Sequence, residues 1–164
     1  MNNAQLINQD SGNFEYYTPI EFPTAAREVM GSIDLDPASS ETANNKIKAD
    51  YYFNESGLDK TWFGNIWMNH PFSRVNNPLW ISKICSSFEN GDIDQGICIT
   101  FAATSETWFR PLLSYPQCFI HGRTNYYLPD GTKKKGVTKG SVITYLGDNN
   151  ERFADIFSKF GTVK

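Results

Sequence analysis

The sequence predicts an α/β fold: a mostly parallel, doubly wound sheet with an antiparallel portion near the C-terminus. Three observations carry this. Short apolar runs that suit strands alternate with segments of helical spacing along the 164 residues. Gly96-Ile97-Cys98-Ile99-Thr100-Phe101 is apolar almost throughout, as expected of a strand covered on both faces. Pro129-Asp130-Gly131 supplies a turn between the strand at Cys118-Phe119-Ile120, which continues through Arg123 to Tyr127, and the strand from Ser141 to Leu146.

In chain order, Thr18 is a candidate N-cap, with Pro19 at the first helical position and Glu21 closing a capping box. Pro23 delays the regular helix, which runs to Met30 and stops at Gly31. Ser32 to Asp36 forms a short strand ended by Pro37, and Ser39-Ser40-Glu41-Thr42 opens a helix through about Asn45. Ala49 to Phe63 is aromatic and irregular, with a turn at Ser56-Gly57, and Asn65 to Asn69 is a strand. Asn76-Asn77-Pro78 caps a helix with apolar positions at Leu79, Ile81, Ile84, Cys85 and Phe88, closed by Asn90-Gly91. Thr104-Ser105-Glu106 opens a short helix through Leu113, Glu151 to Phe160 is a helix ended by Gly161, and the last residues add an edge strand.

The division expected is a flexible lead-in at 1–13 and a single domain at 14–164 carrying a basic hairpin at 122–140. Hydrophobic residues at 40% and aromatics at 15% argue against disorder. No apolar run approaches the roughly 18 residues of a membrane span, and the polar start reads as neither signal nor transit peptide. Cys85, Cys98 and Cys118 stand far apart in apolar contexts, which fits reduced, buried thiols rather than disulfides or a metal site. The net charge of −3 is unevenly spread. Residues 1–60 hold ten acids and four bases, whereas 122–140 hold five bases against Asp130. Such a segment suits either a local phosphate site or a solvated surface hairpin.

Asn69-His70-Pro71-Phe72, at the end of the apolar run Asn65 to Met68, nearly spells an Asn/Asp-Pro-Pro-Tyr/Phe turn. That turn suits methylation of an amino group on a base. The lone pair of such a nitrogen is delocalised into the ring. A side-chain oxygen at Asn69 and the backbone carbonyl after it can accept both N–H groups and return density to nitrogen. Proline geometry directs the carbonyl, and the following aromatic stacks on an extruded base. Asp34 and Asp36 close the first strand, where ligands of doubly wound sheets bind. Carboxylates there suit ribose hydroxyls and a cationic ammonium or sulfonium, as in S-adenosylmethionine, or serve equally as ion pairs beside a helix cap at Ser39. No Gly-x-Gly loop follows a strand, which argues against a phosphate cradle. A magnesium nuclease built on Asp34 and Asp36 lacks a Lys/Glu partner at suitable spacing.

The ordered set Tyr17-Thr18-Pro19, Ile33-Asp34-Leu35-Asp36-Pro37-Ala38-Ser39, Ala49-Asp50-Tyr51-Tyr52-Phe53, Gly57-Leu58, Trp62 and Ile66-Trp67-Met68-Asn69-x-Pro71-Phe72-Ser73 resembles the small phage-type DNA N6-adenine methyltransferases. The resemblance continues through the Gly96 strand, Trp108-Phe109, Gly122-Arg123, Gly140-Ser141 and Arg152-Phe153. It implies a Rossmann-like methyltransferase fold, S-adenosylmethionine as methyl donor, double-stranded DNA as substrate, and a phage or prophage source acting in a bacterial cytoplasm to guard phage DNA from host restriction. Carried onto this chain, Asn69 holds the adenine amino group and Phe72 stacks on the flipped base. Tyr17, Thr18 and Pro19 flank the cofactor, and Asp34, Asp36 and Pro37 form the other cofactor segment, with the two aspartates sharing the methionine amine and ribose in either order.

His70 departs from the family, which has proline there. It still supplies the backbone carbonyl but not the fixed φ. Its replacement is a tolerated change, a change of substrate or base, or a mark of lost activity. Only 33 residues separate Asp36 from Asn69, so DNA recognition falls to loops. Arg74 and the hairpin residues Arg123, Lys133, Lys134, Lys135 and Lys139 are the candidate DNA contacts. The alternatives are methylation of cytosine N4 or of RNA, and a non-catalytic cofactor- or DNA-binding module.

Overall fold

The computed structural model describes residues 17–128, 130–134 and 139–164; the expected lead-in, Pro129 and Lys135 lie outside them. The elements are α1 (Glu21–Met30), β1 (Leu35–Asp36), α2 (Glu41–Ile47), β2 (Tyr51–Tyr52), a 3₁₀ turn (Gly57–Asp59), β3 (Asn65–Met68), α3 (Asn76–Glu89) and β4 (Gln95–Phe101). A second 3₁₀ segment (Thr107–Ser114), β5 (Gln117–Ile120), β6 (Ser141–Leu146), α4 (Asn150–Phe157) and β7 (Gly161–Val163) complete them. All seven strands join one mixed sheet in the order β2-β1-β3-β4-β6-β5-β7. The pairings β1–β2, β1–β3 and β3–β4 are parallel, whereas β4–β6, β5–β6 and β5–β7 are antiparallel. The sheet is thus half antiparallel, not mostly parallel, because β6 enters beside β4 and β7 adds the outer edge.

Side-chain alternation explains why both faces are covered. In β4, Ile97, Ile99 and Phe101 join Trp67 of β3 and Ile143 and Tyr145 of β6 on one face. Cys98 joins Ile66, Met68, Val142 and Leu146 on the other. Helix α1 covers the first face through Phe22, Ala25, Ala26, Val29 and Met30, a spacing that forms one helical stripe, and α4 adds Phe153 and Phe157. Helix α3 covers the second through Ile81 and Ile84, with Phe109 and Leu112 from the second 3₁₀ segment. Leu79, read as part of that apolar face, is 50% exposed, and Trp80 takes the buried place beside it.

The helix boundaries show where local signals were outcompeted. Glu21 starts α1 ahead of Pro23, which is tolerated because a first-turn residue has no intrahelical N–H bond to lose. Thr18 does not cap it; its hydroxyl accepts a bond from Asn69 instead. Gly31 ends α1 in the left-handed region at φ 90°, as its sequence position predicts. Ser40 caps α2 by accepting from the Ala43 N–H, and Ser73 Oγ accepts from the Asn76 N–H at the start of α3. Strand β2 lies inside the stretch read as irregular: its two residues are held by the Tyr51 N–H bond to the Asp34 carbonyl and by parallel register with β1.

Asp34 has a structural task at the amino end of the sheet. Its Oδ2 accepts from the Asn65 N–H at 2.8 Å, and its Oδ1 accepts from the Ser32 hydroxyl at 2.9 Å. Gly64 makes this possible, since a Cβ there would lie 2.4 Å from Asp34 Oδ2 and its φ is +66°. Asp34→Ala leaves the Asn65 donor without its partner and is expected to destabilise the fold by about 1–3 kcal/mol. A urea midpoint that falls with unchanged slope would report this, and an unmoved midpoint would refute it.

Candidate active site

Strands β1 and β3 run side by side in parallel, so their carboxyl ends open on the same edge. The chain leaves β1 outward to β2, then returns to β3 on the other side of β1. That reversal is the switch point at which a crevice forms. A cavity of about 360 Å³ lies there, and Asp36, Asn69, His70, Pro71, Phe72, Tyr17 and Thr18 all line it. Seven of the residues that the sequence nominated as catalytic or cofactor-binding are therefore brought together. Pro37 is buried behind the wall, where its carbonyl packs so closely on Gly57 that a Cβ there would come within 2.2 Å. Pro19 belongs to a different cavity, and Asp34 sits at the opposite end of β1.

The turn from Asn69 to Phe72 is held from two sides. Asn69 Nδ2 donates to Thr18 Oγ1 at 2.7 Å, which orients the amide with Oδ1 as its acceptor. His70 Nε2 bonds Asn77 Oδ1 at 2.7 Å, pinning the turn to α3 in place of a proline ring. With Asn77 Oδ1 as acceptor, Nε2 carries the proton and Nδ1 keeps a lone pair, buried and without a hydrogen-bond partner. Phe72 is 4% exposed and packs on Phe101 at 4.7 Å and edge-on to Tyr126 at 6.1 Å between ring centroids. In this conformation it is an aromatic wall of the cavity rather than a free stacking platform.

Two ionisable groups in the wall are held away from their usual charge states. Burial pushes the Asp36 carboxyl up to about 7, against the Ala38 N–H and Ser39 bonds that favour its ionised form. Burial pulls the His70 imidazole down to about 4, opposed by the bond to Asn77. A cationic or hydroxyl-bearing ligand beside Asp36 would restore the favour of its charged form.

Sequence reasoning missed Glu55, Phe53, Ser39, Lys46 and Trp80, all of which line the same cavity. Glu55 follows β2 as Asp36 ends β1, so two carboxyl groups border the site from neighbouring parallel strands. Recognition of Tyr51-Tyr52 as a strand would have exposed this placement. Trp62 anchors the loop that carries Glu55 by donating from Nε1 to the Gly57 carbonyl at 2.9 Å.

The candidate DNA contacts do not line this cavity. Arg74 is exposed directly after the turn, and Arg123 and Lys133 face the second cavity. Lys139 Nζ lies 5.3 Å from the centroid of Phe101, and the Lys134 N–H bonds the Tyr126 carbonyl, placing both near the aromatic wall. Lys135 is outside the described residues.

The raised carboxyl and lowered imidazole make opposite contributions with pH. Asp36 binds its proton more tightly folded than unfolded, so its contribution to stability falls from about pH 4 to about pH 7 and stays lost above. His70 binds its proton less tightly folded, so its contribution is present above about pH 6.5 and is lost as pH falls through about 4. Asp36→Asn should exceed the native chain in thermal stability above pH 7, with the difference closing by about pH 4. Melting curves across that range test it, and a difference independent of pH would refute it.

No curated protein and no solved structure matches the chain. The DNA N-6-adenine-methyltransferase (Dam) family profile does, over residues 8–158, and so covers β1, the Asn69 turn and the whole cavity wall. By the extent of that match, the chain belongs to the DNA N-6-adenine-methyltransferase (Dam) family.

Proposed function

We propose that this chain transfers a methyl group from S-adenosylmethionine to the N6 amino group of adenine in double-stranded DNA. The observation that carries the proposal is the convergence of Asn69, held by Thr18, with buried Asp36 on one cavity at the switch point. The strand order, with its reversal between β1 and β3, supports a Rossmann-like arrangement for that site.

The residues present fit the cofactor. Asp36 is a carboxyl whose charged form burial disfavours, Glu55 borders the same space, and Phe53, Leu58, Ile47 and Trp80 offer an apolar wall for a ring. S-adenosylmethionine, when bound, supplies an electrophilic methyl group. Asp36 and Glu55 accept from the ammonium and ribose hydroxyls, and Tyr17 and Thr18 close the site from the α1 side. Asn69 Oδ1 and the His70 backbone carbonyl accept the two N–H bonds of the adenine amino group, which localises its lone pair for attack. Phe72, with Phe101 and Tyr126 behind it, forms the wall against which the extruded base lies. The His70–Asn77 bond supplies the rigidity that proline otherwise gives the turn, so histidine at this place is compatible with turnover.

Incubation with radiolabelled S-adenosylmethionine and unmethylated duplex DNA, followed by nucleoside analysis, should place label in N6-methyladenine. Asn69→Ala should lower kcat/KM by about 10²-fold or more, since it removes an acceptor used as charge develops on nitrogen. No label, or label undiminished in Asn69→Ala, would defeat the proposal. Cofactor binding should also tighten as pH rises through about 7, because Asp36 must be ionised, with proton release that disappears in Asp36→Asn. Calorimetry in buffers of different ionisation enthalpy measures it, and equal proton release by both proteins would remove Asp36 from this role.

A further inference from the structure

A single segment, residues 17–22, walls two cavities. Tyr17, Thr18 and Ile20 line the one described above, whereas Pro19, Glu21 and Phe22 line a second of about 480 Å³. The second is rimmed by Arg123 and Lys133 from the basic segment and by Lys159 from beyond α4, with Glu21 the one carboxylate among the described residues that line it. His121 also lines it and is tied by Nε2 to Thr162 Oγ1 at 2.8 Å. Glu21 and Phe22, in the first turn of α1, line the same wall, and that turn has no side-chain cap. One further residue sets this cavity apart from a basic surface. Thr124 lines it, is 3% exposed, and has a buried hydroxyl with no hydrogen-bond partner. Buried hydroxyls normally find partners, and one that does not carries a desolvation penalty that a ligand can relieve. A turn of ~120° about χ1 would carry its hydroxyl to the place the methyl now holds, with the methyl passing to that of the hydrogen.

We infer that this second cavity seats a phosphate of the substrate DNA backbone. The inference rests on the DNA reading above and adds Thr124 and Lys159 to it. Phosphate oxygens only accept hydrogen bonds, while Thr124, Arg123, Lys133 and Lys159 all donate, and three of the four are cationic. Function gives the placement a purpose. A base drawn into the first cavity must leave its stack while its strand stays fixed, and a phosphate held across the shared wall supplies that anchor. Tyr17 and Tyr127 join the two sides directly, through N–H to carbonyl bonds of 2.6 and 2.8 Å.

The test compares the native chain with Thr124→Val and Lys159→Gln, using an unmethylated duplex over a salt series and inorganic phosphate as a separate probe. Lys159 is exposed, so its substitution leaves the core intact, and Thr124→Val replaces an unpartnered hydroxyl by a methyl of like size. Both variants should weaken DNA binding by about 3–10-fold, and Lys159→Gln should lower the salt slope by about 1. Thr124→Val should keep or raise the melting temperature while it weakens DNA, a combination that a purely structural role would not produce. Native affinity and slope in both variants, in a protein that methylates DNA, would overturn the phosphate seat alone. Inorganic phosphate bound without DNA would overturn the DNA source, and a native chain that neither binds nor methylates DNA would overturn both readings together.

Discussion

The parallel pairing of β1 with β3, in the register Leu35 opposite Ile66, is the constraint on which the site depends. Parallel neighbours end at the same edge, so Asp36 and Asn69 emerge together although 33 residues separate them. The crossover through α2 and β2 must then leave on one side of β1 and return on the other, which opens the crevice between them. Asp34 secures this register from the amino end by binding the first N–H of β3. Two aspartates two residues apart thus serve opposite ends of one short strand, one for the fold and one for the cavity.

That cavity is built from groups the fold alone does not satisfy. Asp36 is buried, His70 retains a buried Nδ1 without a partner, and burial holds both toward their uncharged forms. Polar groups buried in this state oppose stability, and they concentrate where a ligand completes them. The surrounding structure carries the strain: both sheet faces are covered by continuous apolar clusters, and Trp62, Trp67, Tyr145 and Phe109 are fully buried in them.

The basic segment is connected to the chemistry through contacts rather than through shared lining. Tyr127 pairs with Tyr17, Tyr17 precedes Thr18, and Thr18 accepts from Asn69. Tyr126, one residue from that pairing, forms part of the aromatic wall behind Phe72 and is bonded to Ser141 at 2.9 Å. The basic segment and the Asn69 turn therefore share one packed border, which brings cations close to the cavity.

By itself the sequence determined the alternation of strands and helices, the buried strand at β4, the Gly31 stop and the place of the Asn69 turn at a strand end, because each is encoded within a few neighbouring residues. Tyr17, Thr18, Asp36 and the turn, which it nominated as site residues, line one cavity, since strand ends in such folds converge. Tertiary structure alone decided the rest. Thr18 left the helix cap because its hydroxyl accepts from Asn69, 51 residues away, and Asp34 left the ligand site because Gly64 lets Asn65 reach it. Strand β2 exists because β1 lends it hydrogen bonds, so two residues carry no periodicity from which to read it, and Glu55 stayed hidden with it. The balance of parallel and antiparallel strands likewise follows from where β6 and β7 find open edges, a choice made by long-range pairing that no local pattern records.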